Sequence, residues 1–156
     1  MEIRIATLGR RPTRKHLPAE ELFAAYCDRI ARFCRFQAVH FPTEEKFFAS
    51  PTTGLAGSRP RSHPQLVLLD SRGRSFSSVQ FAAWLRDRRD QGVQNLLFAI
   101  GPADGWSPPA RERAGLLLSL GPLSLPHELA AVVLAEQIYR AFTIIEGHPY
   151  HLGHAD

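Results

Sequence analysis

The sequence predicts an α/β layer fold, a mostly parallel sheet flanked by helices, and three observations predict it. The apolar period switches repeatedly between two and about 3.6 residues, as it does where strands alternate with helices. The run Gln65-Leu66-Val67-Leu68-Leu69-Asp70 is almost continuously apolar, the pattern of a strand covered on both faces. A length of 156 residues, with 44% hydrophobic and 22% charged side chains, suits one globular domain spanning 1–156 and leaves too little chain for a second core.

Taken in order, Ile3 to Gly9 alternates apolar and polar residues and reads as a first strand. Pro18 suits a helix start, and Leu22, Tyr26, Ile30 and Phe33 recur at helical spacing, placing a helix over roughly 18 to 34. Phe36 to Phe41 is a second strand, ended by Pro42. Thr43 to Pro64 loses periodicity among prolines and Gly, Ser and Thr steps, and reads as a long surface loop. Gln65 to Asp70 is the best strand in the chain, with a turn at Ser71-Arg72-Gly73-Arg74 after it. Ser77-Ser78-Val79-Gln80 carries the Ser-x-x-Gln pattern that satisfies free amides at a helix start, and that helix runs to Gly92 as its cap. Asn95 to Gly101 is another buried strand, ending in the glycine-bearing turn Gly101 to Gly105. Leu116 to Leu125 is either a strand plus loop or an irregular buried loop, interrupted at Gly121-Pro122. Leu129 to Gly147 is the last and strongest helix, with Leu134, Ile138, Phe142 and Ile145 on one stripe.

The 19 Lys and Arg against 15 Asp and Glu leave a charge of +4, which favours an anionic partner, nucleic acid first. No apolar run approaches the roughly 18 residues of a membrane span. The N-terminus alternates like a strand instead of carrying a basic region followed by an apolar one, so a cytoplasmic location is expected. Cys27 and Cys34 lie on the first predicted helix at a spacing that suits neither a redox pair nor a zinc knuckle, and are read as packing residues.

In open α/β sheets, ligands sit beyond the carboxyl ends of the strands. That rule singles out Leu69-Asp70, the Gly101 to Gly105 turn and the Leu120 to Pro126 loop. Glycine at such a turn lets backbone approach a ligand closely, and a tight turn without a ligand is the equal alternative. Neither a dinucleotide fingerprint nor a P-loop is present. The tail residues His148-Pro149-Tyr150-His151 offer rings that stack on bases and donate to phosphates. A metal site at His148, His151 and His154 is the rival reading. It lacks a neighbouring thiol or carboxylate before Asp156, and Pro149 breaks the helical register, so no metal is expected. Arg10, Arg11, Arg14 and Lys15 form a tight basic cluster, a contact for RNA phosphates or a solvated loop. The Arg86 to Asp90 run reads as a solvated face.

The order of Leu68-Leu69-Asp70-Ser71-Arg72-Gly73, Gly101-Pro102-Ala103-Asp104-Gly105, Ser124-Leu125-Pro126-His127, Glu136-Gln137-Ile138-Tyr139-Arg140-Ala141 and His148-Pro149-Tyr150-His151 resembles the RlmH-type family of ribosomal large-subunit pseudouridine methyltransferases, of the SPOUT class, along essentially the whole chain. The resemblance implies a SPOUT-like α/β knot with a deep C-terminal trefoil, S-adenosylmethionine held by the knot loops, and a homodimer whose active site draws on both subunits. It implies methylation of N3 of a pseudouridine in 23S RNA of the large ribosomal subunit, on the assembled ribosome. Carried over to this chain, Leu69, Gly101, Gly105, Leu120, Gly121, Pro122, Leu123, Ser124 and Leu125 bind the cofactor. Tyr139, Arg140, His148, Tyr150 and His151 face the RNA together with Arg10, and His151 or Tyr150 holds the base or assists its deprotonation. Three departures stand out: Pro102 replaces a second glycine of the turn, Ala131 replaces an arginine early in the last helix, and Leu152 to Asp156 replace a basic end. They keep a second reading open, a SPOUT-like RNA- or ribosome-binding protein without catalysis.

Overall fold

A computed structural model describes residues 1–11, 18–56 and 63–152 of the chain. Strands β1 (Glu2–Leu8), β2 (Arg35–Phe41), β3 (Gln65–Arg74), β4 (Asn95–Ile100) and β5 (Leu116–Leu118) form one sheet in the order β2-β1-β4-β3-β5, every ladder parallel. Helices α1 (Pro18–Ile30), α3 (Ser78–Asp90) and α5 (His127–Ile145) cover one face, and the short α2 (Glu44–Ala49) and α4 (Pro108–Arg113) cover the other.

Two covered faces explain why the central strands are apolar without alternation. In β4, Leu96, Phe98 and Ile100 face α1, α3 and α5, while Leu97 and Ala99 face α2 and α4, and all five are buried. β1 divides the same way, Ile3 and Ile5 to one side and Ala6 and Leu8 to the other. α5 lays Leu134, Ile138 and Phe142 on the sheet, as its stripe predicts. The capping box of α3 forms: Ser77 Oγ accepts from the Gln80 amide at 3.2 Å, and Gln80 Oε1 accepts from the Ser77 amide at 2.9 Å.

Three local expectations are corrected. The stretch from Thr43 to Pro64 is not one loop, because α2 and a 3-10 turn (Pro51–Thr53) form within it and Phe47 is fully buried. Thr43 caps α2 and Ser50 caps the turn, which is local hydrogen bonding that a periodicity reading over six residues does not detect. Residues 57–62 of that stretch lie outside the described residues. Ser71 to Arg74 belong to β3, whose register against β5 slips between Leu69 and Arg74. The slip is a bulge in which Asp70 Oδ1 accepts from the Arg72 amide at 2.9 Å, and Gly73 is required because a Cβ there would lie 2.5 Å from the Leu117 carbonyl. Leu22, placed on the buried stripe of the first helix by its spacing, is 48% exposed, since α1 touches the core chiefly through Ile30, Tyr26 and Phe23.

The undecided segment after residue 115 resolves as a strand plus loop, β5 followed by an extended stretch into α5. α4 was not anticipated, and its cap Ser107 receives a second hold when Glu44 accepts both its amide, at 3.1 Å, and its hydroxyl. That contact ties α2 to α4 across the back of the sheet. Among the described residues, no helix is long and apolar enough to cross a membrane.

Candidate active site

The carboxyl ends of β3, β4 and β5 open onto a cavity of about 420 Å³. Its walls are Leu69 to Ser71 from β3, Ile100 to Ala103 with Gly105 and Trp106 from the turn after β4, and Leu118, Leu120, Gly121 and Leu123 to Pro126 from the loop after β5. The three segments singled out by the strand-end rule therefore meet around one space. Of the residues assigned there, Leu69, Gly101, Gly105, Leu120, Gly121, Leu123, Ser124 and Leu125 line it, and Pro122 does not.

Each wall has a local cause. The Gly105 amide donates to the Pro102 carbonyl at 2.9 Å, closing a turn in which Gly105 sits at φ 81°. Gly121 sits at φ 121°, and Ser119 Oγ accepts from its amide at 3.1 Å. Both glycines hold left-handed backbone that other residues adopt at a cost, and a Cβ on either would meet nothing within 4 Å. Open space beside backbone is what a ligand read by amides and carbonyls needs, so the residues present fit an adenosine-containing cofactor.

Gly101 has a different reason. A Cβ on it would lie 2.8 Å from Cε2 and Nε1 of Trp106. Its missing side chain admits the indole beside it, while Gly101 itself still lines the cavity. The Trp106 Nε1–H then donates to the Leu69 carbonyl at 3.0 Å, fastening the turn after β4 to β3 where its bulge begins. Behind the ring stand Phe47 and Phe48 of α2, with centroids 5.8 and 6.5 Å away.

A second cavity of about 300 Å³ adjoins the first at the ends of β1 and β2. Thr7, Arg10, Arg11, Ala19, Glu20, Phe23, His40, His127, Glu128 and Ala131 line it, and His127 lines both. Thr7 Oγ1 and His40 Nδ1 are 3.0 Å apart. Desolvation holds both imidazoles below the ordinary histidine pKa; for His127 the Glu128 carboxylate pulls upward and His40 adds a downward push. Nε2 of His127 is buried with no hydrogen-bond partner among the described residues. Ala131, the position of a missing arginine, is buried against the core on the floor of this cavity. Arg10 and Arg11 are placed here, whereas Arg14 and Lys15 lie outside the described residues.

The tail residues are elsewhere. After α5, a 3-10 turn (Pro149–His151) folds back on the helix, and the His148 Nδ1 accepts from the Tyr150 amide at 3.2 Å. The Tyr150 hydroxyl donates to Glu136 at 3.1 Å and lies 3.4 Å from the Tyr26 hydroxyl. Arg140 donates to the same carboxylate at 2.6 Å, its guanidinium 5.1 Å from the Tyr150 ring, and Tyr139 meets that ring edge-on at 4.7 Å. Burial first, then Tyr26 and Glu136, push the Tyr150 phenol well above its ordinary pKa. Nδ1 of His151 is buried without a partner among the described residues. Tyr139, Arg140, His148, Tyr150 and His151 thus form one cluster. None of the five lines either cavity, and Glu136 lies about 14 Å along α5 from His127 at 1.5 Å per residue.

Burial raises the thiols of Cys27 and Cys34 to about 12 and about 11, which removes them as nucleophiles and leaves packing as their role. Among the described residues, no group of three or more His, Cys, Asp or Glu side chains is placed to hold a metal, and His154 lies outside them. Sequence reasoning assigned no role to Trp106, Thr7, His40 or His127. His127 carried a local signal, a histidine directly after the proline that opens the last helix at a strand-end loop.

Comparison with known proteins places this architecture. Residues 1–151 match the family described as predicted SPOUT methyltransferase. A protein of Koribacter versatilis named ribosomal RNA large subunit methyltransferase H is 41% identical over 154 residues, covering 99% of this chain and all of its own length. A protein of the same name from Paramagnetospirillum magneticum is 40% identical over 157 residues, covering 97% of this chain and 99% of its own. Among solved structures, a probable methylase family protein from Haemophilus influenzae superposes with a TM-score of 0.51 at 11% identity over 95% of this chain and 69% of its own, a likeness of fold alone. With a parallel five-stranded sheet, a cavity walled by β3 and the loops after β4 and β5, and a match over nearly its whole length, the chain belongs to the SPOUT methyltransferase family.

Proposed function

We propose that this enzyme transfers a methyl group from S-adenosylmethionine to N3 of a pseudouridine in 23S RNA of the large ribosomal subunit, on the assembled ribosome in the cytoplasm. The observation that carries the reading is the convergence of Leu69, the Gly101 to Gly105 turn and the Leu120 to Leu125 loop on one cavity. The shared name of the relatives supports the ribosomal RNA substrate. Bound in the cavity, the cofactor supplies an electrophilic methyl on a sulfonium centre. This chain's residues bind and orient: backbone groups of residues 101–105 and 120–121 read the adenosine, while Leu123 and Leu125 shield it from water.

The working form is a homodimer. Leu123, Leu125 and Leu129 are 81%, 39% and 46% exposed on one end of α5 and the loop before it, an apolar surface suited to a second copy. The distance from the tail to the cavity within one chain supports the same conclusion. Tyr150, His151 and Arg140 of one protomer reach the cofactor held by its partner, where they hold the acceptor RNA together with Arg10.

Calorimetric titration with S-adenosylmethionine tests the reading, with Ala130→Phe, which fills the cavity from α5, as the blocked control. One cofactor per chain, lost in the variant, supports it and leads to methylation assays on ribosomes. No binding at millimolar cofactor overturns it in favour of a non-catalytic RNA-binding protein.

A further inference from the structure

Tyr150 is poorly placed to remove a proton. Its hydroxyl already donates to Glu136, and the carboxylate and burial keep it a neutral phenol. Methyl transfer to the imide nitrogen of a uracil-type ring nevertheless requires that nitrogen to lose its proton, so a group close to the cofactor cavity has to accept it.

His127 stands at that border. It opens α5, lines the cavity at β3, β4 and β5 and also the one at β1 and β2. The second cavity, at about 300 Å³, is at the small end for ligand sites, which suits one pyrimidine ring better than a cofactor. Its walls supply an apolar ring face in Phe23, a hydroxyl in Thr7, an imidazole in His40 and two guanidinium donors in Arg10 and Arg11. These are the donors that two imide carbonyls take, and the unpartnered ring nitrogen of His127 is the acceptor for the N–H between them.

Resting on the methyltransferase reading above, we infer that the second cavity receives the acceptor base, an imide-type nucleobase, and that His127 takes the proton from its ring nitrogen. The nitrogen–carbon bond forms as the carbon–sulfur bond breaks, its electron pair going to sulfur, while the N3 proton passes to the imidazole and then to water. Glu128 on the same helix steadies the imidazolium. His40 from β2 opposes it, and so do Arg10 and Arg11, which follow β1; Glu20 from α1 and the Gly101 carbonyl at the end of β4 favour it. His127 is therefore neutral at rest and charged only during turnover.

The test compares wild type with His127→Gln, His127→Ala and His151→Ala, full-length, on ribosomes lacking base methylation. Cofactor affinity of the His127 variants stays within about twofold of wild type, and kcat at neutral pH falls by roughly 10²-fold or more. That loss narrows as pH rises toward ionisation of the base, and added imidazole partly restores His127→Ala. Independently of turnover, the His127 ring proton in NMR, assigned by its absence in His127→Gln, titrates below the ordinary histidine value. A kcat within threefold of wild type with an unaltered pH profile overturns the inference and leaves the methyltransferase reading standing. Loss of cofactor affinity equal to the loss of rate also overturns it, by placing His127 in the cofactor site alone. Failure of wild type to methylate ribosomes overturns both readings. The Gln variant and the NMR titration decide the matter even if His127→Ala does not fold.

Discussion

The indole of Trp106 occupies the place where a side chain on residue 101 would begin, 2.8 Å from the position of its Cβ. Five residues apart, the two join the walls of the cavity at β3 and β4, because the same ring holds the Leu69 carbonyl at 3.0 Å. Phe47, from a helix in a stretch that reads as loop, presses on the ring from behind.

Gly101→Ala forces the indole outward and costs about 1–3 kcal/mol of stability, as overpacking does. S-adenosylmethionine affinity falls at least tenfold with it. Trp106→Phe alone removes one hydrogen bond and costs about 1 kcal/mol, and in the double variant the losses are less than additive because the clash is with the Nε1–Cε2 edge of the indole, which phenylalanine lacks. Urea unfolding and calorimetry on the four proteins measure the coupling.

Phe47→Ala removes a fully buried ring packed against Phe41, Phe48 and Trp106, and costs about 3–5 kcal/mol. A surface-loop phenylalanine would cost less than 1 kcal/mol. Denaturant midpoints of the two proteins distinguish these outcomes, and cofactor affinity falls with stability because Trp106 loses its backing.

Glu136→Gln removes the charge that opposes ionisation of Tyr150. The phenol then titrates lower, part of the way back to its ordinary value of about 10, because burial, the larger cause, remains. Difference absorbance of tyrosinate against pH reads the shift. The variant keeps its affinity for cofactor and loses methyl transfer to ribosomes, since the tail is loosened and the cavity is not.

Stability falls as the solution is acidified below about pH 6.5, the unfolded histidine value. Both His40 and His127 have folded pKa values below it, so the unfolded chain binds protons first and stability is lost as pH drops toward the folded values. Thermal melts between pH 7.5 and about 5 show the decline, and His127→Gln flattens it.

Much of the architecture is legible in the amino-acid order. Continuous apolar runs at 65–70 and 95–100 mark doubly covered parallel strands, the stripe through Leu134, Ile138 and Phe142 marks the helix laid on them, and Ser77 with Gln80 marks a helix start. The strand-end rule found the two loops of the cavity, after β4 and β5, because it depends only on where strands stop, and it found Leu69 to Ser71 because the β3 bulge interrupts the ladder there. α2, α4 and the β3 bulge were missed for one reason. Each is too short to show a period, and each is held by capping side chains or by packing against distant elements, as Glu44 holds Ser107.

The sequence by itself determined the layered sheet, the order of its principal elements and the chain segments that wall the cavity, because hydrophobic periodicity and turn chemistry act over a few neighbouring residues. Tertiary structure alone decided which residues share a space. It seated the Trp106 indole against Gly101, put His127 on the border of two cavities beside Thr7 and His40, and fastened Tyr150 to Glu136 outside the lining of both. Those relationships join residues from different strands and helices, and the packing of whole elements sets them, which no local pattern encodes.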